Sequence, residues 1–212
     1  MSATGPVIGP ETRRQGALMQ ALRARTAALH AATEALPLMR DLMAPEVDAD
    51  IYRAYLGALA RPYRLLEPHL HASCAPLTLE RMGVRERLPA LERDLEALGD
   101  EPMPPPPADA EHLSSLVANQ AQALGGLYVL EGATLGGRVI SQRLRQNLGA
   151  EADRLPFHFL GTREDRSPAE GWRRFGAALE DEVSTRGHDP EQVLTAAVAV
   201  FGLVHRHLGG NS

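Results

Sequence analysis

Apolar residues recur every three or four positions along most of the chain, which is the spacing of one face of an α-helix. After Gln15 the positions Leu18, Leu22, Leu29 and Leu36 keep this spacing, so a first helix is predicted to begin near Gln15. No segment shows the strict alternation of a half-buried strand, and no internal repeat is found. The pattern therefore predicts an all-α bundle of roughly seven or eight helices.

Capping residues and prolines mark where several of these helices begin. Asp48 or Asp50 is expected to cap a long helix that continues past two internal prolines. The stretch 77–99 is predicted to form one or two shorter helices. Two further helices are predicted to begin at Ser167–Pro168 and Asp189–Pro190, because a capping side chain followed by a first-turn proline is a typical start signal.

The segment 100–110, DEPMPPPPADA, contains four consecutive prolines and is expected to be a stiff surface loop. A domain boundary there is the alternative, but neither flanking half looks complete by itself. We therefore predict a disordered tail at residues 1–14 and a single all-α domain over residues 15–210.

Composition narrows the classes of function. Aromatic residues make up only 4% of the 212 residues, so leucine, alanine and valine must fill the core. The net charge of −5 gives no support to a nucleic-acid partner. Neither a signal peptide nor a run of roughly 20 apolar residues is found, which predicts a cytoplasmic protein without a membrane partner. The single cysteine, Cys74, cannot form an intrachain disulfide and is expected to be buried and inert.

One predicted helix is unusually rich in glycine. The stretch YVLEGATLGGRVISQRL, from Tyr128 to Leu144, has helical spacing throughout, yet each interior glycine costs about 1 kcal/mol relative to alanine. The glycines in and just before this stretch are Gly125, Gly126, Gly132, Gly136 and Gly137.

Three explanations of these glycines can be compared. A phosphate-binding loop is excluded because residues 132–139 lack the required lysine and Ser/Thr, and no strand precedes them. Close packing of a neighbouring helix against Gly132 and Gly136 remains open. A helix face without side chains, against which a flat ligand can lie, also remains open.

His30 is the candidate partner of such a ligand. It lies on the first predicted helix between small residues, Ala27 and Ala31, so its imidazole can project into open space. A surface histidine is the alternative. Taken with the glycine-rich helix, His30 is a candidate axial metal ligand, with a planar macrocycle between the two helices.

Two motifs resemble those of a known family. LRARTAALHAATE, residues 22–34, resembles the proximal helix of heme oxygenases, and YVLEGATLGGRVI, residues 128–140, resembles their distal helix. The motifs lie about a hundred residues apart in the same order as in that family. The resemblance covers nearly the whole chain and is closest to bacterial, biliverdin-forming members, some of which accompany phytochromes.

The resemblance implies roles for residues on the proximal side. His30 would be the iron ligand of heme b, and Glu34 would accept a hydrogen bond from the other ring nitrogen. Arg23 occupies the place of a basic residue that meets a heme propionate, with a solvated arginine as the alternative. Arg173 and Arg174 match positions of basic residues near the propionates, and at least one of them is expected to be only solvated.

On the distal side, Gly132, Gly136 and Gly137 match the glycines that let the helix bend and lie directly over heme. Tyr128 is a candidate contact to the heme edge, although burial against a neighbouring helix is an equal alternative. The family's mammalian pattern has an aspartate where this chain has Ala133. Thr134 is therefore a candidate contributor to proton delivery, together with ordered water.

The implied reaction uses heme as substrate and cofactor and opens its ring with O2 to biliverdin, CO and Fe2+. The chain has no flavin or iron–sulfur motif, so electrons would come from an external reductase or ferredoxin, and a phytochrome is one candidate recipient of biliverdin. A heme carrier or sensor that does not degrade heme is the main alternative, because of Ala133. A di-iron oxidase is disfavoured because Glu34, Glu67 and Glu131 have no histidine three residues on.

Overall fold

A computed structural model of the chain describes residues 16–100, 116–161 and 167–210. The predicted N-terminal tail and nearly all of the proline-rich segment lie outside these residues. The described part contains α-helices and one 3-10 helix and no strand, which confirms the all-α prediction. The helices are α1 Ala17–Glu34, α2 Pro37–Met43, α3 Ala49–Ala72, α4 Pro76–Met82, α5 Leu88–Ala97, α6 Gln120–Leu148, the 3-10 helix Gly149–Arg154, α7 Pro168–Arg186 and α8 Pro190–Leu208.

The helix starts follow the capping signals in the sequence. Asp48, rather than Asp50, caps α3, and its carboxylate accepts a hydrogen bond of 2.8 Å from the backbone N–H of Ile51. Ser167 and Glu170 form a reciprocal capping box at the start of α7. These side chains satisfy backbone N–H groups that have no partner within the helix, so the local sequence decides where each helix begins.

Three long helices, α3, α6 and α8, carry most of the hydrophobic core. Residues 123–130 of α6 are all buried, so this helix is enclosed on every side along its first half. Helix α6 packs against α3, α7 and α8, and α8 also packs against α1. Helices α1 and α6 both lie on α8 and have little direct contact with each other.

Two glutamates, one buried and one half-buried, bind the starts of helices that have no side-chain cap of their own. Glu67 of α3 accepts hydrogen bonds of 2.7 Å from the backbone N–H groups of Arg87 and Leu88 at the start of α5. Glu180 of α7 accepts one of 3.1 Å from the backbone N–H of Met19 in the first turn of α1. Negative charge at a helix N-terminus is favourable. The starts of α1 and α5 are therefore stabilised by residues of other helices rather than by neighbours in the sequence.

The first two glycines of α6 serve helix packing. A Cβ atom at Gly125 would lie 2.2 Å from the carbonyl oxygen of Val193 and 2.9 Å from the backbone nitrogen of Ala197, both in α8. A Cβ at Gly126 would lie 2.5 Å from a methyl carbon of Leu70 in α3. The backbone of α6 therefore approaches its neighbours more closely than any residue with a side chain would allow.

We expect Gly125→Ala to destabilise the fold by about 1–3 kcal/mol or more, because the added methyl group meets the α8 backbone rather than a movable side chain. Thermal unfolding of the purified protein measures the effect. Gly57→Ala in α3 is the matched control, because a Cβ there meets nothing within 4 Å. A Gly125→Ala protein as stable as the wild type would contradict the packing role.

Candidate functional site

His30 lies on the accessible side of α1. Its side chain is 64% exposed, and its Nδ1 atom lies 3.5 Å from a carboxylate oxygen of Glu34, one turn further along the helix. The ring meets the ring of Phe201 of α8 edge-on, with centroids 6.2 Å apart. Glu34 lies on the Nδ1 side of the ring, and the described residues give Nε2 no hydrogen-bond partner.

The opposite side of α1 is fixed to α8. The hydroxyl of the buried Thr33 donates to the carbonyl of Leu29 at 2.7 Å and lies 3.0 Å from Nδ1 of His205 in α8. An ion pair of 2.7 Å joins Arg25 to Glu191 at the other end of the same contact. These contacts set the rotation of α1, so that a stripe of its residues faces outward. The exposed members of this stripe are Arg23, Ala27, His30, Ala31 and Glu34.

The remaining three glycines of α6 have different surroundings. Gly136 is exposed, and a Cβ there would meet nothing within 4 Å. A Cβ at Gly132 would touch the Trp172 ring at 3.5 Å, and one at Gly137 would touch Leu160 at 3.4 Å. Gly136 thus borders open space, whereas Gly132 and Gly137 sit against side chains. Helix α6 runs uninterrupted through all of them.

Three of the residues singled out from the sequence interact elsewhere. Tyr128 is buried and packs against Trp172, with ring centroids 5.4 Å apart. The hydroxyl of Thr134 donates to the carbonyl of Glu131 at 2.7 Å. Arg174 donates to backbone carbonyls of α4. These contacts give each of the three residues a structural explanation, so their roles toward a ligand stay predictions.

Arg23 and Arg173 are the more accessible cations. Both are exposed, and Arg173 donates to the carbonyl of Ala169 in its own helix, at 3.3 Å. Ala133, at the position where the mammalian pattern has aspartate, is also exposed. The sequence reasoning missed Phe201 and Trp172 as neighbours of His30 and Gly132. Their helical spacing indicated core residues but not the helix that each would meet.

The alternative chemistries find no support in the described residues. Cys74 is buried, and burial, with a smaller contribution from the charge of Glu182, raises the pKa of its thiol to about 12. No group of three or more His, Cys, Asp or Glu side chains in the described residues is arranged to hold a metal ion. Among the described helices, none has the length and apolar character needed to cross a membrane.

Helix α1 thus carries an accessible histidine and α6 a side-chain-free position beside open space, two features that suit a flat, metal-containing ligand. A sequence model of the heme oxygenase family matches residues 16–208. A heme oxygenase from Xanthomonas campestris pv. campestris (strain 8004) is 34% identical over 180 residues, covering 82% of this chain and 99% of that protein. The chain belongs to the heme oxygenase family, as its two helix motifs predicted.

The fold agrees with this assignment. The structure of a heme oxygenase from Leptospira interrogans superposes with a TM-score of 0.73 over 91% of this chain and 98% of that chain. Its sequence is only 20% identical, so the likeness concerns the helical architecture. The agreement confirms the heme oxygenase fold predicted from the sequence.

The pKa of Cys74 gives a chemical prediction. At a pH near 8 the thiol stays neutral in the folded protein, so alkylation by iodoacetamide should be at least about a hundredfold slower than in denaturant, where the cysteine has an ordinary pKa. Mass spectrometry of timed samples measures the two rates. Rapid labelling of the folded protein would mean that Cys74 is accessible and reactive, which would reopen the possibility of a nucleophilic role.

Proposed function

We propose that the protein cleaves heme b to biliverdin, CO and Fe2+, using O2 and electrons from an external donor, with His30 as the axial ligand of the heme iron. Membership of the heme oxygenase family supports the reaction class. The observation that carries the assignment of the ligand is the exposed imidazole of His30, whose Nδ1 is paired with Glu34. A neutral imidazole with one nitrogen so paired is a common iron ligand.

The exposed residues of α1 and the glycines of α6 suit a heme group. A flat ligand can lie close to α6 only where no Cβ intervenes, and Gly136 provides such a position with open space beside it. On the other side, the neighbours of His30 on the exposed stripe are alanines, which leave room for a ring over the imidazole. We therefore place the heme between the exposed stripe of α1 and the Gly132–Gly136 segment of α6.

Several side chains would hold and orient the heme in this position. Glu34, whose carboxylate lies 3.5 Å from Nδ1 of His30, would accept the Nδ1–H and fix the plane of the imidazole. Arg23 on α1 and Arg173 on α7 are exposed cations that would pair with the propionates. We do not place Arg174 at the propionates, because its guanidinium is directed toward α4, where it donates to the carbonyls of Glu80 and Arg81.

When bound, heme supplies the iron that activates O2 and the ring that is opened. The contribution of the chain is to seat the ring, to bring the α6 backbone over it, and to deliver protons. Since Ala133 carries no acid, we propose that ordered water held by backbone groups near Gly132 delivers the protons. The Thr134 hydroxyl donates to Glu131, so it would take part only by accepting a hydrogen bond from that water.

The partners follow from what the chain lacks. It contains a single cysteine and no flavin-binding motif, so a separate reductase or ferredoxin would supply electrons. We propose a cytoplasmic location and, as one recipient of biliverdin, a phytochrome. The main rival is a heme carrier or sensor, because Ala133 replaces the acid that organises water near the iron in the mammalian pattern.

The first test is a spectroscopic titration with hemin followed by reduction in air with catalase present. We expect a Soret band typical of histidine ligation, which then decays into the broad red absorption of biliverdin when ascorbate or a reductase is supplied. Decay in the wild type would exclude the carrier. A Soret band that persists throughout reduction would establish the carrier or sensor instead.

The ligand assignment predicts that His30→Ala loses the Soret band of the histidine-ligated form and that added imidazole restores it, because the vacated position then accepts a free ligand. His158→Ala is the matched control, because its side chain is also exposed but lies in a loop after the 3-10 helix. An unchanged spectrum in His30→Ala would overturn the axial assignment.

The cleft predicts opposite effects of Gly136→Ala on folding and on ligand binding. The heme-free protein should gain about 0.5–1 kcal/mol of stability, because alanine favours the helix and its methyl group enters open space. Heme binding should weaken by about 1–3 kcal/mol, which is roughly 5- to 150-fold in Kd, because the methyl group enters the space of the ring. Thermal unfolding and heme titration measure the two effects, and undiminished heme affinity would place the ring elsewhere.

A further inference from the structure

A cavity of about 530 Å³ lies against α6. It is bounded by α4, the loop after α4, the start of α7 and the segment 160–161. Glu131, Thr134 and Arg138 form its α6 wall. At 100° per residue these three positions lie on the side of the helix roughly opposite Gly132 and Gly136. Neither His30 nor Gly136 lines this cavity, so it is separate from the proposed heme cleft.

The cavity wall is positively charged although the chain as a whole carries −5. Among the described residues, four arginines line it against two glutamates, and the four are Arg85, Arg87, Arg138 and Arg174. A concave site with one predominant sign of charge concentrates small ions of the opposite sign. The cavity therefore favours an anionic ligand.

Two of these arginines are held by neutral groups. Arg174 donates to the backbone carbonyls of Glu80 at 3.0 Å and Arg81 at 3.1 Å. Arg87 donates to the carbonyl of Phe159 and lies 5.4 Å from the centre of that ring. Carbonyl acceptors orient a guanidinium without cancelling its charge, so both side chains are positioned in advance with charge to spare.

Arg138 is a third arginine of the cavity wall that can meet an anion. Its side chain is exposed at the cavity wall, and the described residues give it no hydrogen bond or ion pair. It can therefore turn toward a ligand without breaking an existing contact. Arg138 from α6 and Arg174 from α7 approach the cavity from different helices, which suits an anionic group placed between them.

Part of the remaining wall is apolar. Leu79, Met82, Leu160 and the half-buried Trp172 line the cavity beside the arginines. Its volume lies within the range of about 300–1,000 Å³ found for small-molecule sites. We propose that this cavity binds a small organic anion whose carboxylate meets Arg138 and Arg174 and whose apolar body lies against Trp172.

Trp172 makes the proposal directly testable, because it is the single tryptophan of the chain. We would titrate the heme-free protein at constant ionic strength with cyclohexanecarboxylate and follow tryptophan fluorescence. A saturable change is expected, with no comparable change for the neutral cyclohexanecarboxamide. Equal responses to the acid and the amide, or no saturable response to the acid, would overturn the proposal. Binding of inorganic phosphate but not of the carboxylate would overturn the proposal that the ligand has an apolar body lying against Trp172.

Variants locate the site. Arg138→Gln and Arg174→Gln should each weaken binding at least about tenfold, because each removes a charged hydrogen-bond donor. Arg143→Gln is the matched control on the same helix, because Arg143 does not line the cavity. Since Arg138 has no hydrogen bond or ion pair with any described residue, its variant remains informative even if Arg174→Gln proves unstable.

The heme cleft must be excluded as the place where the anion binds. Arg173→Gln, at a candidate propionate partner outside the cavity lining, should leave the affinity unchanged. Calorimetry on the heme-loaded protein should give the same affinity as on the heme-free protein. Competition between heme and cyclohexanecarboxylate, or weakened binding only in Arg173→Gln, would assign the anion to the heme cleft and overturn the proposal. These results do not depend on whether the protein degrades heme.

Discussion

The contact between the backbones of α6 and α8 at Gly125 is the constraint on which the site depends. A Cβ at this position would lie within 3 Å of two α8 backbone atoms, so the two helix axes approach more closely than ordinary side chains permit. Helix α8 also carries α1 through Thr33–His205 and Arg25–Glu191. The relative position of α1 and α6, and so the width of the proposed heme cleft, is set by a third helix that contacts both.

The glycines of α6 divide between two physical roles along a single helix. Gly125 and Gly126 allow close packing and contribute to stability through the contacts that they permit. Gly136 makes no such contact, so nothing in the heme-free fold compensates for the helix stability that this glycine costs. This division explains how a helix can contain several destabilising glycines and still be buried on every side along residues 123–130.

Helix α6 also separates two environments with different chemistry. Gly132 and Gly136 carry no side chain and lie on the face where we propose the heme cleft, whereas the Glu131–Thr134–Arg138 face borders a cavity rich in arginine. Trp172 borders both environments. A Cβ at Gly132 would touch its ring, and its side chain also lines the cavity. A ligand on either face would therefore contact the same short segment of helix.

The sequence by itself determined the helical class, several helix starts and the two family motifs, because periodicity, caps and glycine content are local properties. Asp48, Ser167 and Asp189 cap the helices that their positions predicted. Only the tertiary structure decided which glycines pack and which border open space, and that Tyr128 and Arg174 are engaged by neighbouring elements. A side chain's partner depends on how helices rotate and cross, and residues far apart in the sequence fix that rotation.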